Sequence, residues 1–302
     1  MFAIAVWDKL LGQLTLVRDR LGEKPLYYGW QGSESNKGFL FGSELKALKE
    51  HPQFTGEIDR GSLALYMRYC YVPAPHAIFE GLKKLEPGTI LTVALNDNDH
   101  SIEKYWDTLK VVKEGLETPF ENTATQIADD LETQLRKTID QQMIADVPLG
   151  AFLSGGVDSS LIVSLMQAQH SRQVKTFTIG FNEAGYNEAE FAGAVAQHLG
   201  TEHTELYVSS QDALDVIPKL PSLYCEPFAD SSQIPTFLVS QLAQQHVTVS
   251  LSGDGGDELF CGYNRYIYTD KVWRGLSLLP AAVRKVIGDS ITGISASRWN
   301  KV

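Results

Sequence analysis

Residues Leu149–Leu153 form a short apolar run that passes directly into Ser154-Gly155-Gly156-Val157-Asp158-Ser159-Ser160, where a helical pattern begins at once. A strand that turns on adjacent glycines into a helix belongs in an α/β sheet, with the turn at the edge where such sheets bind ligands. The two glycines let backbone approach a ligand with no side chain in the way. The helix start adds unpaired N–H groups and partial positive charge, which suit an anion. Three serine hydroxyls supply further donors. Asp158 is a poor neighbour for phosphate alone, but magnesium takes carboxylate and phosphate oxygens together. The GxxxxGK[ST] spacing of a Walker loop is absent, and so is the GxGxxG of a dinucleotide fold. Two glycines alone would suit an ordinary turn; strand, serines and helix together point to an anion site.

The rest of the chain frames this loop. Ile127, Leu131, Leu135, Ile139 and Met143 recur along one helical stripe that Pro148 ends. Beyond it, strands at Leu149–Leu153, Val174–Ile179, His203–Val208 and Val247–Leu251 alternate with helices at Ser159–Gln169, Glu188–Leu199 and Ser232–His246. Asn187 with Glu190 is a helix-start signal, and Gly200 a stop. This alternation predicts a parallel sheet with helices on both faces. Residues 1–110 read differently. Phe2–Trp7 with Leu14–Val17, and Pro25–Gly29 with Gly38–Gly42, are hairpin pairs; a short helix follows Ser43, a second lies within Ile58–Tyr69, and Gly88–Val93 alternates like a strand. The charged stretch Leu109–Thr118 reads as a linker, dividing the chain into 1–115 and 116–302.

A second loop sits where the sheet pattern predicts another ligand edge. Val247–Leu251 leads into Ser252-Gly253-Asp254-Gly255-Gly256-Asp257-Glu258. Clustered carboxylates also occur in solvated surface turns. Here they follow a buried strand and sit among glycines, so Asp158 and Asp257 can converge on one magnesium from neighbouring loops.

SGGVDSS resembles the pyrophosphate loop of the N-type ATP pyrophosphatases, and further segments resemble the glutamine-dependent asparagine synthetases. These are Ser252–Phe260 with Gly262-Tyr263-Asn264-Arg265-Tyr266, Thr178-Ile179-Gly180-Phe181, Leu199–His203, Arg18–Tyr28 and Phe41–Leu48. The resemblance implies an adenine-nucleotide α-hydrolase-like domain at 116–302, preceded at 1–115 by the C-terminal half of an Ntn-type (class II) glutamine amidotransferase domain rich in antiparallel strands. It implies ATP as a substrate, Mg2+, and adenylation of the aspartate side chain followed by amidation with ammonia from glutamine. It places Leu153, Ser154, Gly155, Gly156, Asp158, Ser159, Ser160, Ile179, Ser252 and Gly253 at ATP or pyrophosphate, Asp158 and Asp257 at the metal, and Asp254 at the reacting centre. A homodimer is compatible with it. Related amidotransferases and β-lactam synthetases share the signatures with other carboxylate acceptors. A fragment that only binds nucleotide or a partner is the reading of a different class.

That fragment reading has chemical grounds. The family's glutaminase uses an N-terminal cysteine, whereas Phe2 follows Met1 here and Cys70 is interior, so Met1 reads as an internal methionine. The family's downstream lysine and arginine at pyrophosphate are not recognisable before Val302. Cys261 stands where the family often has glycine, and Gly42 where it often has alanine. A net charge of −11 argues against general polyanion binding, so no nucleic-acid partner is expected. No apolar run approaches the roughly 20 residues of a membrane span, and the start lacks a secretory pattern; a cytoplasmic location is expected. Cys70, Cys225 and Cys261 are dispersed with no CxxC, as in a reduced protein. The histidines show no metal-ligand spacing.

Overall fold

The computed structural model describes residues 1–33, 35–94, 100–181 and 187–293. The N-terminal part contains β1 (Ala3–Asp8), β2 (Gln13–Arg18), β3 (Tyr27–Gln31), β4 (Gly38–Gly42), α1 (Leu45–Lys49), α2 (Arg60–Tyr69), β5 (Leu82–Lys84), β6 (Thr89–Ala94) and β7 (His100–Lys104). Then come α3 (Thr108–Glu117), α4 (Ala124–Gln142), β8 (Leu149–Phe152), α5 (Val157–Gln169), β9 (Lys175–Phe181), α6 (Ala189–Leu199) and β10 (Glu202–Val208). The remainder is α7 (Ser210–Val216), α8 (Leu220–Leu223), α9 (Gln233–Gln244), β11 (Val249–Leu251), α10 (Gly256–Phe260), α11 (Asn264–Ser277) and α12 (Ala281–Thr292). Two compact units result: Met1–Thr133 with Val208–Ser240, and Gln134–Tyr207 with Gln241–Val302.

The first unit holds two sheets, β1-β2-β6-β7 and β4-β3-β5, whose paired neighbours all run antiparallel. Both predicted hairpins form. The β1–β2 turn is held by the Asp8 carboxylate, which accepts from Leu10 N at 2.8 Å and Leu11 N at 3.0 Å. Along β6, Thr89, Leu91 and Val93 are buried and their neighbours half-buried, the period-2 pattern of a one-sided strand. Leu91 and Val93 pack with Leu16, Leu26, Tyr28 and Leu85. A second core joins Tyr27, Leu40, Leu45, Leu48, Val72 and Leu82, and half-buried Cys225 packs against it.

The second unit is built on the sheet β10-β9-β8-β11, in which β8 runs parallel to both β9 and β11. Leu149, Ala151 and Leu153 share one face and pack with Ile139 of α4, Val163 and Met166 of α5, and Ala192 and Ala196 of α6. On the opposite face a Cβ at Gly150 would meet Phe177 at 2.7 Å and Val247 at 3.3 Å. His246, just beyond α9, stacks on Phe177. Helices α4, α5 and α6 thus cover the face of Leu149, Ala151 and Leu153, and the turn after α9 packs on the other face through His246.

Differences from the sequence reading have local causes. Residues 108–117, within the stretch read as a linker, form a helix: Asp107 caps it by accepting from Leu109 N at 2.9 Å, and none of its side chains is buried. A charged, exposed helix has the same composition as a linker. β11 starts at Val249, because Val247 N still donates to Ala243 O at 2.8 Å and so closes α9. Short β5 and β7, and the helices α7 and α8, carry too few residues for a period to show. Among the described residues, no helix is long and apolar enough to cross a membrane.

Candidate active site

The first loop leaves β8 with its central position already fixed. Leu153, 1% exposed, donates its N–H to Phe177 O at 3.0 Å. Ser154 then turns the chain: its N–H donates to Ser159 Oγ at 3.2 Å, its own Oγ lies 3.0 Å from that oxygen, and it accepts from Gly156 N at 3.3 Å. These bonds close the loop on itself. Gly155 adopts φ +78°, and a Cβ there would lie 2.7 Å from Ala192 N and 2.7 Å from Phe191 Cβ, so the loop also packs on the first turn of α6. Gly156 is the N-cap of α5 with an extended backbone and no side-chain cap, which leaves the N–H groups of the first turn free for an anion.

The second loop leaves β11 beside the first. The parallel register pairs Val249 with Leu149, Ser250 with Gly150 and Leu251 with Ala151, so both loops emerge at the C-terminal ends of adjacent strands. They touch. A Cβ on Gly253 would sit 2.7 Å from Ser159 N, and one on Gly256 2.6 Å from Asp158 Cγ. Only glycine permits this approach. Ser252 Oγ donates to Asp254 Oδ2 at 3.0 Å, holding that exposed carboxylate over its own turn. Asp257 lies in the first turn of α10, and a Cβ on Gly262 would overlap its carboxylate.

Downstream, the Tyr263 hydroxyl donates to Glu258 Oε1 at 2.7 Å, and the Arg265 guanidinium lies 4.2 Å from the Tyr263 ring centroid. The bond to the carboxylate pushes the Tyr263 phenol up to about 12 and holds Glu258 below its ordinary value. In the sequence these residues fall within a signature segment and show no role of their own; their spacing of five brings them together only once the left-handed residue after α10 folds the chain back. That residue is Cys261, at φ +64°. A side chain there is strained, which suits the glycine that the family resemblance implies at this position. Cys261→Gly is expected to raise stability by about 1 kcal/mol, read as the urea midpoint at unchanged slope.

The structure therefore brings together Ser154, Gly155, Gly156, Asp158 and Ser159 with Ser252, Gly253 and Asp254 at one sheet edge. Ile179 is half-buried near the end of neighbouring β9. Ser160 stands apart: its hydroxyl is buried without a hydrogen-bond partner, beside Ser164, Val195 and His198 between α5 and α6. The donor set fits magnesium, which accepts one or two carboxylates with phosphate oxygens and water completing its shell. Asp158 makes no hydrogen bond or ion pair among the described residues, so its carboxylate is available. Among the described residues no group of three or more His, Cys, Asp or Glu side chains could hold a metal.

The asparagine synthase family model matches residues 130–301, and the glutamine amidotransferase domain model matches residues 1–106. The chain is 36% identical to asparagine synthetase [glutamine-hydrolyzing] 1 of Bacillus subtilis, over 88% of this chain and 40% of that protein. It is 30% identical to asparagine synthetase [glutamine-hydrolyzing] 3 of the same organism, over 87% of this chain and 43% of that one. With asparagine synthetase B of Escherichia coli it shares 27% identity, over 95% of this chain and 47% of that protein. The chain thus spans about half the length, or slightly less, of the curated relatives it matches. Since the match over 130–301 takes in both glycine loops and the sheet that pairs them, the chain belongs to the asparagine synthase family.

Proposed function

We propose that the protein makes asparagine from aspartate, consuming ATP and drawing ammonia from glutamine. The reading rests on one observation above all: two glycine loops in contact at the ends of paired parallel strands, with Asp158 against Gly256. Residues 1–115 would form part of the class II amidotransferase domain and 116–302 part of the ATP-pyrophosphatase domain, of adenine-nucleotide α-hydrolase type. Substrates are ATP, aspartate, and glutamine or ammonia. Neither nucleic acid nor membrane is a partner in this reading, a homodimer is compatible with it, and the cell compartment is the cytoplasm.

An aspartate carboxylate oxygen attacks the α-phosphorus, the bond to the bridging oxygen breaks, and pyrophosphate leaves with that electron pair. Ammonia then adds to the activated carbonyl carbon, gives up a proton, and AMP departs. Ser154, Gly155, Gly156, Ser159 and Ser160 hold the pyrophosphate, with the free N–H groups of α5 facing the charge that develops on the leaving group. Of these, the Ser160 hydroxyl must turn from its buried position to take part. Leu153, Ile179, Ser252 and Gly253 line the AMP portion, and Asp254 faces the reacting carbonyl. Asp158 and Asp257 are the residues that would hold Mg2+, which when bound supplies positive charge to the phosphate oxygens.

Product identity tests the reading. A Walker loop grips the terminal phosphates with a lysine for γ-transfer; no lysine follows these glycines. Given ATP, magnesium, aspartate and ammonium, the protein as the cell makes it should yield AMP and pyrophosphate. Chromatography showing ADP as the sole nucleotide product would overturn the assignment.

A further inference from the structure

The family matches and the compact units divide the chain differently. Residues 208–240 lie inside the stretch matched by the asparagine synthase family, yet they pack in the first unit, with residues matched by the amidotransferase domain. Their attachment is concentrated at 223–229. Lys46 Nζ donates to Leu223 O at 3.1 Å, Leu45 N to Cys225 Sγ at 3.2 Å, and Ala229 N to Cys70 O at 2.8 Å. At the centre is Glu226. Its carboxylate accepts from Ile78 N at 2.8 Å and pairs with Lys84, and its negative charge near the buried Tyr27 hydroxyl helps push that phenol's pKa up. Lys84 also donates to Val72 O. The Glu226 and Lys84 side chains are only 9% and 16% exposed, so each is nearly withdrawn from water and depends on the other for its counter-charge.

We propose that the Lys84–Glu226 pair couples the two chemistries, so that glutamine is hydrolysed in step with adenylation. Its members come from the two family matches, one each, and satisfy each other only while segment 223–229 is seated. An unpartnered charge in this position is strongly unfavourable, so loss of either partner favours release of the segment. Four residues after Ala229, the chain enters α9 and continues through β11 into the loop carrying Asp254 and Asp257. The segment and that loop are therefore successive features of one continuous stretch, residues 223–258. Glu226 and Lys84 are positioning residues in this scheme; neither touches substrate. The proposal rests on the function argued above.

The test compares Lys84→Met, Glu226→Gln and Lys84→Arg in the protein as the cell makes it. Glutamate released per AMP formed is measured with glutamine as nitrogen source, and AMP formation is measured separately with ammonium. The parent should give near-equal glutamate and AMP. Lys84→Met and Glu226→Gln should raise that ratio at least about fivefold, the lower end of ordinary coupling, while ammonium-supported AMP formation stays within about twofold. Lys84→Arg, which keeps the charge, should restore the parent ratio. A ratio unchanged in both charge-removing variants overturns the proposal, and so does an equal fall in glutamine-driven and ammonium-driven synthesis, which a merely structural pair would give. Should either fail to fold, Tyr27→Phe, which removes the buried hydroxyl beside the Glu226 carboxylate, decides by the same ratio. A parent that hydrolyses glutamine but forms no AMP sinks the proposed function and this coupling with it; a parent that does both, with ratios unmoved by the variants, sinks the coupling alone.

Discussion

Asp257→Asn is expected to lower AMP and pyrophosphate formation on the order of 100-fold, with glutamine hydrolysis nearly unchanged. The substitution keeps size and shape and removes one negative charge, so it isolates electrostatics from packing. Asp257 follows directly on Gly256, the residue against which Asp158 rests, and it is the second carboxylate of the pair proposed to hold magnesium. Losing it leaves leaving-group charge less well neutralised in the transition state than in the ground state, which shows in turnover. A second variant separates charge from placement. In Gly262→Ala the new methyl would occupy the space of the Asp257 carboxylate, so this change should reduce turnover in the same direction while leaving the charge count intact. Rapid-quench measurement of AMP, beside glutamate release from the same samples, reads both. A parallel loss of the two activities would mean that the substitution unfolds the protein or that Asp257 serves the other half.

Gly155→Ala and Gly156→Ala should behave as opposites in stability although they are neighbours. Gly155 combines φ +78° with backbone of α6 only 2.7 Å from where an alanine methyl would sit, a clash that no side-chain rotation relieves. The left-handed strain alone is of order 1–3 kcal/mol, and displacement of α6 adds to it. Gly156 has φ −71°, and its only close neighbour would be Ser154 Oγ at 3.3 Å. Alanine there is weaker than glycine as an N-cap but also restrains the unfolded chain, so the net change should stay within about 1 kcal/mol. Its effect should appear instead in binding, because a methyl at the N-cap intrudes on the surface offered to pyrophosphate. Thermal unfolding with calorimetric titration of Mg·ATP resolves the two: Gly155→Ala low in both, Gly156→Ala near parental stability with weakened binding. Equal stability of the two variants would mean that the loop does not pack on α6 as described.

How far the sequence carried depended on whether a feature was written locally. The strand–glycine–helix unit at 149–169 and the hairpins at 1–42 depend on neighbours within a few residues, and both were legible. So was the shared edge of the two loops, because parallel strands joined by helices leave little freedom in where the loops emerge. Contacts between loops were not. Nothing in the run Ser252–Glu258 says that Gly253 and Gly256 are the glycines that admit Asp158 and Ser159, since that depends on a register set by strand pairing. The buried Ser160 hydroxyl escaped for a similar reason: adjacent serines look alike in sequence, and only the phase of α5 sends one into the loop and the other toward α6. The Glu226 network joins residues far apart along the chain, and no pattern of spacing announces it.

The division of the first unit into two separated stretches has a consequence for how the ribosome delivers it. Residues 1–133 emerge first, but their partner stretch, 208–240, follows only after 134–207 has been made. At about 5–20 residues per second that interval is roughly 4–15 s. Throughout it Lys84 and the backbone N–H groups of Leu45 and Ile78 await Cys225 and Glu226. The nascent amidotransferase-matching stretch thus lacks these partners until residues 208–240 of the synthase-matching stretch have been translated. Exchanging halves between relatives at the apparent boundary near residue 115 would separate these partners, whereas a hybrid that carries 208–240 with its own N-terminal half would keep them.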